Sequence, residues 1–318
     1  MSPLETIGAD LGGTKMLVGV VDADQHVLYR GAEQTQGLTP DELLAALERE
    51  LKAAQAARPE AAAAGLGVPA TMDWKRGLAI SAVNLPLVDV PIRELMAERI
   101  GIPVFVDNDA NVATLAEHRF GAARGTTNVV MVTIGTGIGG GLVLEGKLYR
   151  GSIGAGAELG HMVIDENGPR CQGNCPNWGC VESLASGTAL AREGRAAAER
   201  APDSALGRAL AEDREVTGKA VTDAALTGDE VARGVVADAG RHLGVAFANY
   251  ANIFEPDVIV VGGGVMAVGE LLLDPAREEM GRRALPPMNG TRVVAAQLGA
   301  EAGMIGAAAL AMSELEDG

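Results

Sequence analysis

Lysine is scarce in this chain, with five among 318 residues, and no basic run exceeds Arg282-Arg283. Forty-two acidic residues against 26 basic ones give a formal charge of -16. A protein that tracks a phosphate backbone needs a basic face, so broad nucleic-acid binding is excluded. Long apolar runs are missing as well: the longest, Val258 to Gly269, covers about 12 glycine-rich residues, too short for a bilayer. No basic-then-apolar leader opens the sequence, and a cytoplasmic location is expected. Cysteine is limited to Cys171, Cys175 and Cys180, an odd number that suits a disulfide framework poorly. The 47% of apolar residues is enough for a sizeable core, and the length suggests two domains.

What the chain has in quantity is glycine, 43 residues mostly clustered between apolar runs. Thr6 to Leu11, Met16 to Val21 and Val27 to Gly31 read as a meander of antiparallel strands, with Gly12-Gly13 at the first turn. Leu43, Leu44, Leu47 and Leu51 recur at helical spacing over Pro40 to Ala57, behind Thr39 as a cap. Gly65 to Pro69 and Val104 to Val106 read as short buried strands, the second running into a helix over Asn111 to Phe120. Another strand-turn-strand unit follows, with Val129 to Ile134 as strand, Gly135 to Gly141 as turn and Leu142 to Leu148 as strand. Leu28-Tyr29-Arg30-Gly31 recurs as Leu148-Tyr149-Arg150-Gly151. The two units together predict a duplicated architecture of two α/β domains. Val181 to Asn252 reads as mostly helical, Val258 to Val261 as a buried strand and Glu301 to Glu314 as a closing helix.

Three glycine clusters could hold phosphate. Asp10-Leu11-Gly12-Gly13-Thr14-Lys15 lets N–H groups converge on an anion, with an acid at the strand end for Mg2+; it also fits an ordinary hairpin turn. Thr133 to Gly141 contains the spacing G-x-G-x-x-G through Gly135, Thr136, Gly137 and Gly139, but the sequence after it alternates like a strand. A dinucleotide fingerprint needs a helix there, which excludes that reading and leaves a phosphate-binding turn. Gly262-Gly263-Gly264 is expected at a helix N-terminus after its strand, where backbone can lie against a phosphate-bearing ligand. Three such loops favour a nucleoside triphosphate.

Asp107-Asn108-Asp109 lies at a strand-to-helix junction, where an acid could accept a hydroxyl proton during phosphoryl transfer or merely cap the helix. His161, Cys171, Cys175 and Cys180 fall within twenty residues and match a closed Cys3His zinc site, structural rather than water-activating. Such a site would stiffen the loop carrying Glu158, His161 and Glu182, candidate hydrogen-bonding groups for a polyhydroxylated ligand. His26, His118 and His242 read as structural, and Trp178 either packs over the loop or stacks on a sugar.

This set of residues resembles the ROK family of sugar kinases and regulators, particularly its bacterial glucokinases, across essentially the whole chain. The resemblance rests on Asp10 to Lys15, Asn108 to Asn111, Gly135 to Gly141, and Glu158-Leu159-Gly160-His161 with the cysteine cluster and Glu182. It implies a two-domain actin-like, ribonuclease-H-like fold with a ligand cleft between domains. Residues 1–119 would form a small domain completed by helix 301–318, and residues 120–300 a large domain carrying the zinc loop. It further implies ATP with Mg2+ as donor, structural zinc, and a homodimer or homotetramer. Asp109 would be the general base on the 6-hydroxyl of D-glucose, and Asn84, Asn108, Glu158, His161 and Glu182 sugar contacts. His161 would give one ring nitrogen to zinc and the other to the sugar. Related activities on N-acetylmannosamine, N-acetylglucosamine or fructose, and a non-catalytic sugar sensor, are the alternatives. A sensor that binds DNA would need a helix-turn-helix ahead of Asp10, where only nine residues precede, and polyphosphate as donor would favour a basic channel. The family usually separates its first two cysteines by one residue; here Gln172-Gly173-Asn174 intervenes.

Overall fold

The computed structural model describes residues 4–82 and 84–317; Val83, in the segment that carries Asn84, lies outside them. Contacts divide the chain into two units: Met1–Gly125 with Gly141–Ala157 and Gln297–Gly318, and Thr126–Gly140 with Glu158–Ala296.

Unit one starts with the antiparallel strands β1 (Glu5–Leu11), β2 (Lys15–Asp22) and β3 (Val27–Gln34). Helix α1 (Pro40–Ala57) follows, and Thr39 and Glu42 bond reciprocally at its start, the capping box that stops the chain from fraying there. Strand β4 (Ala64–Val68) pairs parallel with β1. A separate antiparallel sheet is made of β5 (Ala70–Asp73), β6 (Leu78–Ala82) and β7 (Val88–Val90). Helix α2 (Ile92–Ile100), strand β8 (Val104–Asn108), parallel to β4, and helix α3 (Asp109–Arg119) follow. The five-stranded sheet has the order β3-β2-β1-β4-β8. Its core is apolar, with Ile7, Leu11, Val18, Leu43, Leu47 and Leu66 at 0–1% exposure.

Unit two has strand β9 (Val129–Ile134), then β10 (Ile138–Leu144), which leads into unit one, where β11 (Lys147–Leu148) pairs with its end. Helices α4 (Val181–Ala185), α5 (Gly187–Arg200), α6 (Ala205–Ala211), α7 (Gly218–Leu226) and α8 (Glu230–Phe254) form the helical region. Strand β12 (Val258–Gly262), helix α9 (Glu270–Arg283) and strand β13 (Arg292–Ala295) complete it. Helix α10 (Ala302–Asp317) returns to unit one. It lies so close to the sheet that a Cβ at Gly8 or Gly65 would meet the carbonyl oxygens of Met304 or Ala307 at 2.0 and 1.8 Å. Those two strands therefore need glycine on that face. Among the described residues, no helix is long and apolar enough to cross a membrane.

The second large sheet, β11-β10-β9-β12-β13, repeats the order of the first strand for strand, so the duplicated architecture is present. Leu28-Tyr29-Arg30-Gly31 lies in β3, and Leu148 to Gly151 starts in β11, the third strand of the second set. Two boundaries differ from the sequence expectation. Strand β10 begins at Ile138, inside the glycine run, because glycine keeps the N–H and C=O that a ladder uses. Leu142 to Leu148 is not one strand: Glu145 and Gly146, at φ 53° and 76°, turn the chain between β10 and β11. Gly263 and Gly264 also do not sit at an α-helix N-terminus. A 3-10 turn, Gly264–Val268, comes first, and α9 starts only after Gly269.

Candidate active site

In unit one the parallel strands β1 and β8 carry acids toward their C-terminal ends. Asp109 is the first residue of α3, and Asn108 caps that helix by accepting from the N–H groups of Ala110 and Asn111 at 2.9 and 3.4 Å. Asn108 thus carries the main cap, while Asp109 Oδ1 shares the Ala110 N–H at 3.0 Å. Asn108 also donates from Nδ2 to the Ala70 carbonyl at 3.3 Å, so its amide is fixed from both ends. Burial pushes Asp109 above the usual carboxylate range, although the Ala110 N–H opposes the shift. Asp10 is raised to about 6, first by burial and then by the negative charge of Asp109. A pair of acids perturbed in this way is a common mark of a reacting centre.

Asp107 has a different part. It is 1% exposed, accepts from Arg150 Nε at 2.5 Å and from Asn111 Nδ2 at 2.7 Å, and so anchors the strand end that presents Asn108 and Asp109. Arg150 lies over the Trp74 ring, 4.7 Å from its centroid, and also donates to Glu314. Sequence reading left Arg150 without a role, because 43 residues separate it from Asp107 and no local pattern links them.

The β1–β2 turn is tight. Gly12 N–H donates to the Lys15 carbonyl at 3.0 Å, and Thr35 Oγ1 donates to the Gly12 carbonyl at 2.6 Å. The Thr14 carbonyl accepts from the N–H groups of Thr35 and Gln36, while the Lys15 side chain is exposed. Gly13 passes Asn84 so closely that a Cβ would come within 2.8 Å of Asn84 Cβ. Asn84, Asp10 and the first glycine loop are thereby brought together in unit one.

In unit two, Gly135, Thr136 and Gly137 form the turn between β9 and β10, closed by a bond from Gly135 N–H to the Gly137 carbonyl at 2.9 Å. Helix α5 starts against it: Gly187 N–H donates to Gly135, and Thr188 Oγ1 to the Thr136 carbonyl at 2.9 Å. A cavity of about 840 Å3 opens here, lined by Gly135, Thr136, Gly187, Thr188, Gly264 and Val265 and by Thr217, Gly218, Lys219, Thr222 and Asp223 of the α7 region. Two of the three glycine clusters therefore line one cavity. Its α7 wall escaped sequence reading, since Thr217 to Asp223 looks like any capped surface helix. Gly263, at φ 93°, is held against β9, where a Cβ would meet the Ile134 carbonyl oxygen at 2.4 Å. Thr133 and Gly139 belong to β9 and β10 rather than to the turn.

The ligand atoms of His161, Cys171, Cys175 and Cys180 lie within 4.8 Å of one another. Cys171 Sγ is 3.6 Å from His161 Nδ1, and the Sγ atoms of Cys175 and Cys180 are 3.9 Å apart. A tetrahedral zinc with Zn–S near 2.3 Å sets its ligands about 3.7 Å apart, so the four residues fit the ion. The wider cysteine spacing is absorbed by Gly173 at φ 60°, which turns the chain so that Cys171 still faces the group. Burial, with the neighbouring thiols, raises Cys171, and burial also raises Cys180; both favour thiol over thiolate until a cation is bound. Nδ1 of His161 faces the sulfurs, which leaves Nε2 for another partner.

Tyr250 Oη donates to the Leu159 carbonyl at 2.7 Å and steadies the turn that carries His161. Glu158, exposed, precedes that turn. Glu182 is buried, with Oε2 accepting from Ile138 N–H at 2.8 Å and Oε1 3.6 Å from Cys171 Sγ. Trp178 is 56% exposed. His26 pairs with Asp22 at 2.9 Å, four residues earlier on the same turn.

The ROK family matches residues 6–314. A glucokinase of Thermotoga maritima is 38% identical over 317 residues, 98% of each chain. The crystal structure of a ROK family glucokinase from Streptomyces griseus, in complex with glucose and AMPPNP, superposes with a TM-score of 0.84 at 37% identity, covering 97% of this chain and 99% of that one. A ROK hexokinase from Thermus thermophilus gives 0.81 at 36% identity, over 99% and 100% of the two chains. With the same sheet order in duplicate, the same actin-like fold and a match along nearly its whole length, this chain belongs to the ROK family.

Proposed function

We propose that this protein transfers the γ-phosphoryl group of ATP to the 6-hydroxyl of D-glucose, giving glucose 6-phosphate and ADP. The observation that carries the reading is Asp109, a carboxylate at the junction of β8 and α3 beside the Asn108 cap, raised by burial. It stands in a chain that is similar along its length to glucokinases. In the reaction the sugar oxygen forms a bond to the γ-phosphorus, the bond to the β-phosphate oxygen breaks, and the hydroxyl proton passes to Asp109. A base with a raised pKa takes that proton more readily once it is ionised.

Glu158, His161 Nε2, Glu182, Asn84 and Asn108 are assigned to the sugar hydroxyls. Gly12, Gly13, Thr14 and Lys15 are assigned to the phosphates with Gly135, Thr136 and Gly137, while Thr133, Gly139, Gly263 and Gly264 shape the nucleotide wall. The cavity beside α5 and α7 suits the nucleoside, with Thr and Lys side chains at its rim. Mg2+ supplies charge neutralisation on the phosphates, and the mutual repulsion of Asp10 and Asp109 suits a cation beside Asp10. Zinc, held by His161, Cys171, Cys175 and Cys180, orients the His161 ring. A cytoplasmic homodimer or homotetramer that acts without nucleic acid completes the proposal.

The test is ADP release with ATP-Mg2+ against D-glucose, N-acetylmannosamine, N-acetylglucosamine and D-fructose, with Asp109→Asn as control. Turnover highest on glucose and abolished in the variant is expected. Preference for an acetamido sugar would reassign the substrate, and unchanged turnover in the variant would overturn the base.

A further inference from the structure

The three residues that widen the first cysteine spacing put Gln172 against the second glycine loop. Gln172 Nε2 donates to the Thr136 carbonyl at 3.2 Å, the same oxygen that Thr188 Oγ1 reaches at 2.9 Å. One residue further, a Cβ on Gly137 would stand 3.1 Å from Gln172 Nε2 and 2.4 Å from Glu182 Oε2. Glu182 also receives the Ile138 N–H. The turn is thus clamped over four consecutive residues: Gly135 by Gly187, Thr136 by Thr188 and Gln172, Gly137 by the side chains packed on it, and Ile138 by Glu182.

Three of those four residues, Thr136, Gly137 and Ile138, are restrained from the cysteine loop, by Gln172 or Glu182. Gln172 is flanked by two of the residues that group around the metal position, Cys171 and Cys175, and Glu182 is two residues after the third, Cys180. We infer that Gln172 is a positioning residue for the phosphate loop, through which the metal-binding loop fixes the Thr136–Gly137 peptide plane and hence the direction of the Gly137 N–H. A peptide plane pinned at its carbonyl cannot rotate without breaking that bond, and the N–H on the next residue turns with it. The cysteine loop, expected from its chemistry to serve the sugar, thereby also serves the nucleotide. This rests on the loop's proposed role toward ATP.

The experiment uses the full-length, zinc-loaded protein. Gln172→Met keeps the side-chain length and removes the donor; Gln172→Glu replaces the donor with an acceptor facing the carbonyl. One neutral hydrogen bond corresponds to about a three- to tenfold change in affinity. The expected result for Gln172→Met is a rise of that size in the KM for ATP and in the calorimetric Kd for AMPPNP. Glucose KM should stay within twofold and zinc content should match the unsubstituted protein; Gln172→Glu should be worse. Equal loss of glucose and nucleotide affinity, or loss of zinc, would mean that Gln172 only holds the cysteine loop together, and would overturn the inference. So would an unchanged ATP affinity in both variants. If the unsubstituted protein binds glucose but no AMPPNP, the role of the loop toward ATP fails, and the inference with it.

Discussion

Replacing Arg150 with methionine tests a buried charge pair of unit one. Asp107 is 1% exposed and Arg150 15%, and they meet at 2.5 Å. Removal of one partner from a buried pair costs about 3–5 kcal/mol, chiefly because the other charge stays behind without its counterion. Methionine retains much of the apolar stem over Trp74, so that contact falls only by the cation–π part, about 1 kcal/mol. The pair with Glu314, a third exposed, adds less than about 1 kcal/mol. Arg150→Met should therefore destabilise unit one by about 4–7 kcal/mol, a fall in Tm of about 8–28 °C for a unit of this size. The sequence has two tryptophans, and Trp74 lies in unit one, so in a Trp178→Phe background urea unfolding followed by tryptophan fluorescence reports on that unit. Adding Asp107→Asn removes the stranded charge, and the double variant should recover at least half of the loss. A single variant within 1 kcal/mol of the parent, or a double variant no better than the single, would falsify the account of this pair, even though the distances stand.

Other outcomes follow from the same geometry. Asp109→Asn should lower kcat by at least about a hundredfold while calorimetry shows glucose binding retained. Asp10, held near 6 against 3.8 in a free chain, keeps a proton in the folded unit that the unfolded chain would release. Its burial then costs about 3 kcal/mol at pH 7 and nothing below pH 4, so this group adds stability as pH falls from 7 to 4. Asp10→Asn should raise the urea midpoint at pH 7 in Mg2+-free buffer and leave it unchanged at pH 4. Gly137→Ala, whose methyl would press on Glu182 Oε2, should raise the KM for ATP more than tenfold. Stripping zinc with a chelator should weaken both glucose and AMPPNP in calorimetry, because His161 and Gln172 lose the same support.

Much of this was legible in the sequence because it is written locally. Alternating β-branched runs around short turns define β1, β2 and β9, and the cap at Thr39 with leucines at helical spacing defines α1 to the residue. The metal cluster was legible because all four ligands fall in one short stretch with glycines free to turn. What escaped depends on residues far apart in the chain. The β10 boundary is set by pairing with neighbouring strands, which overrides the turn preference of glycine. Gly141 within it must stay bare because Thr114 Oγ1 would lie 2.0 Å from a Cβ. The strands β5 to β7 are short and partly exposed, so no periodicity announces them. The α7 wall of the cavity and the Arg150–Asp107 pair are tertiary meetings with no sequence pattern of their own.

The late return of the chain to unit one has a consequence for biosynthesis. Helix α10 covers glycines of β1 and β4, and Thr6 donates to the Ala308 carbonyl, yet α10 is made only after all of unit two. At about 5–20 residues per second, the roughly 170 residues between Gly125 and Gln297 take about 10–30 s to emerge from the ribosome. During that interval the glycine-lined face of the first sheet has no lid. Unit two, begun later, has all of its residues first, so the order of completion on the ribosome is the reverse of the order in which the units begin.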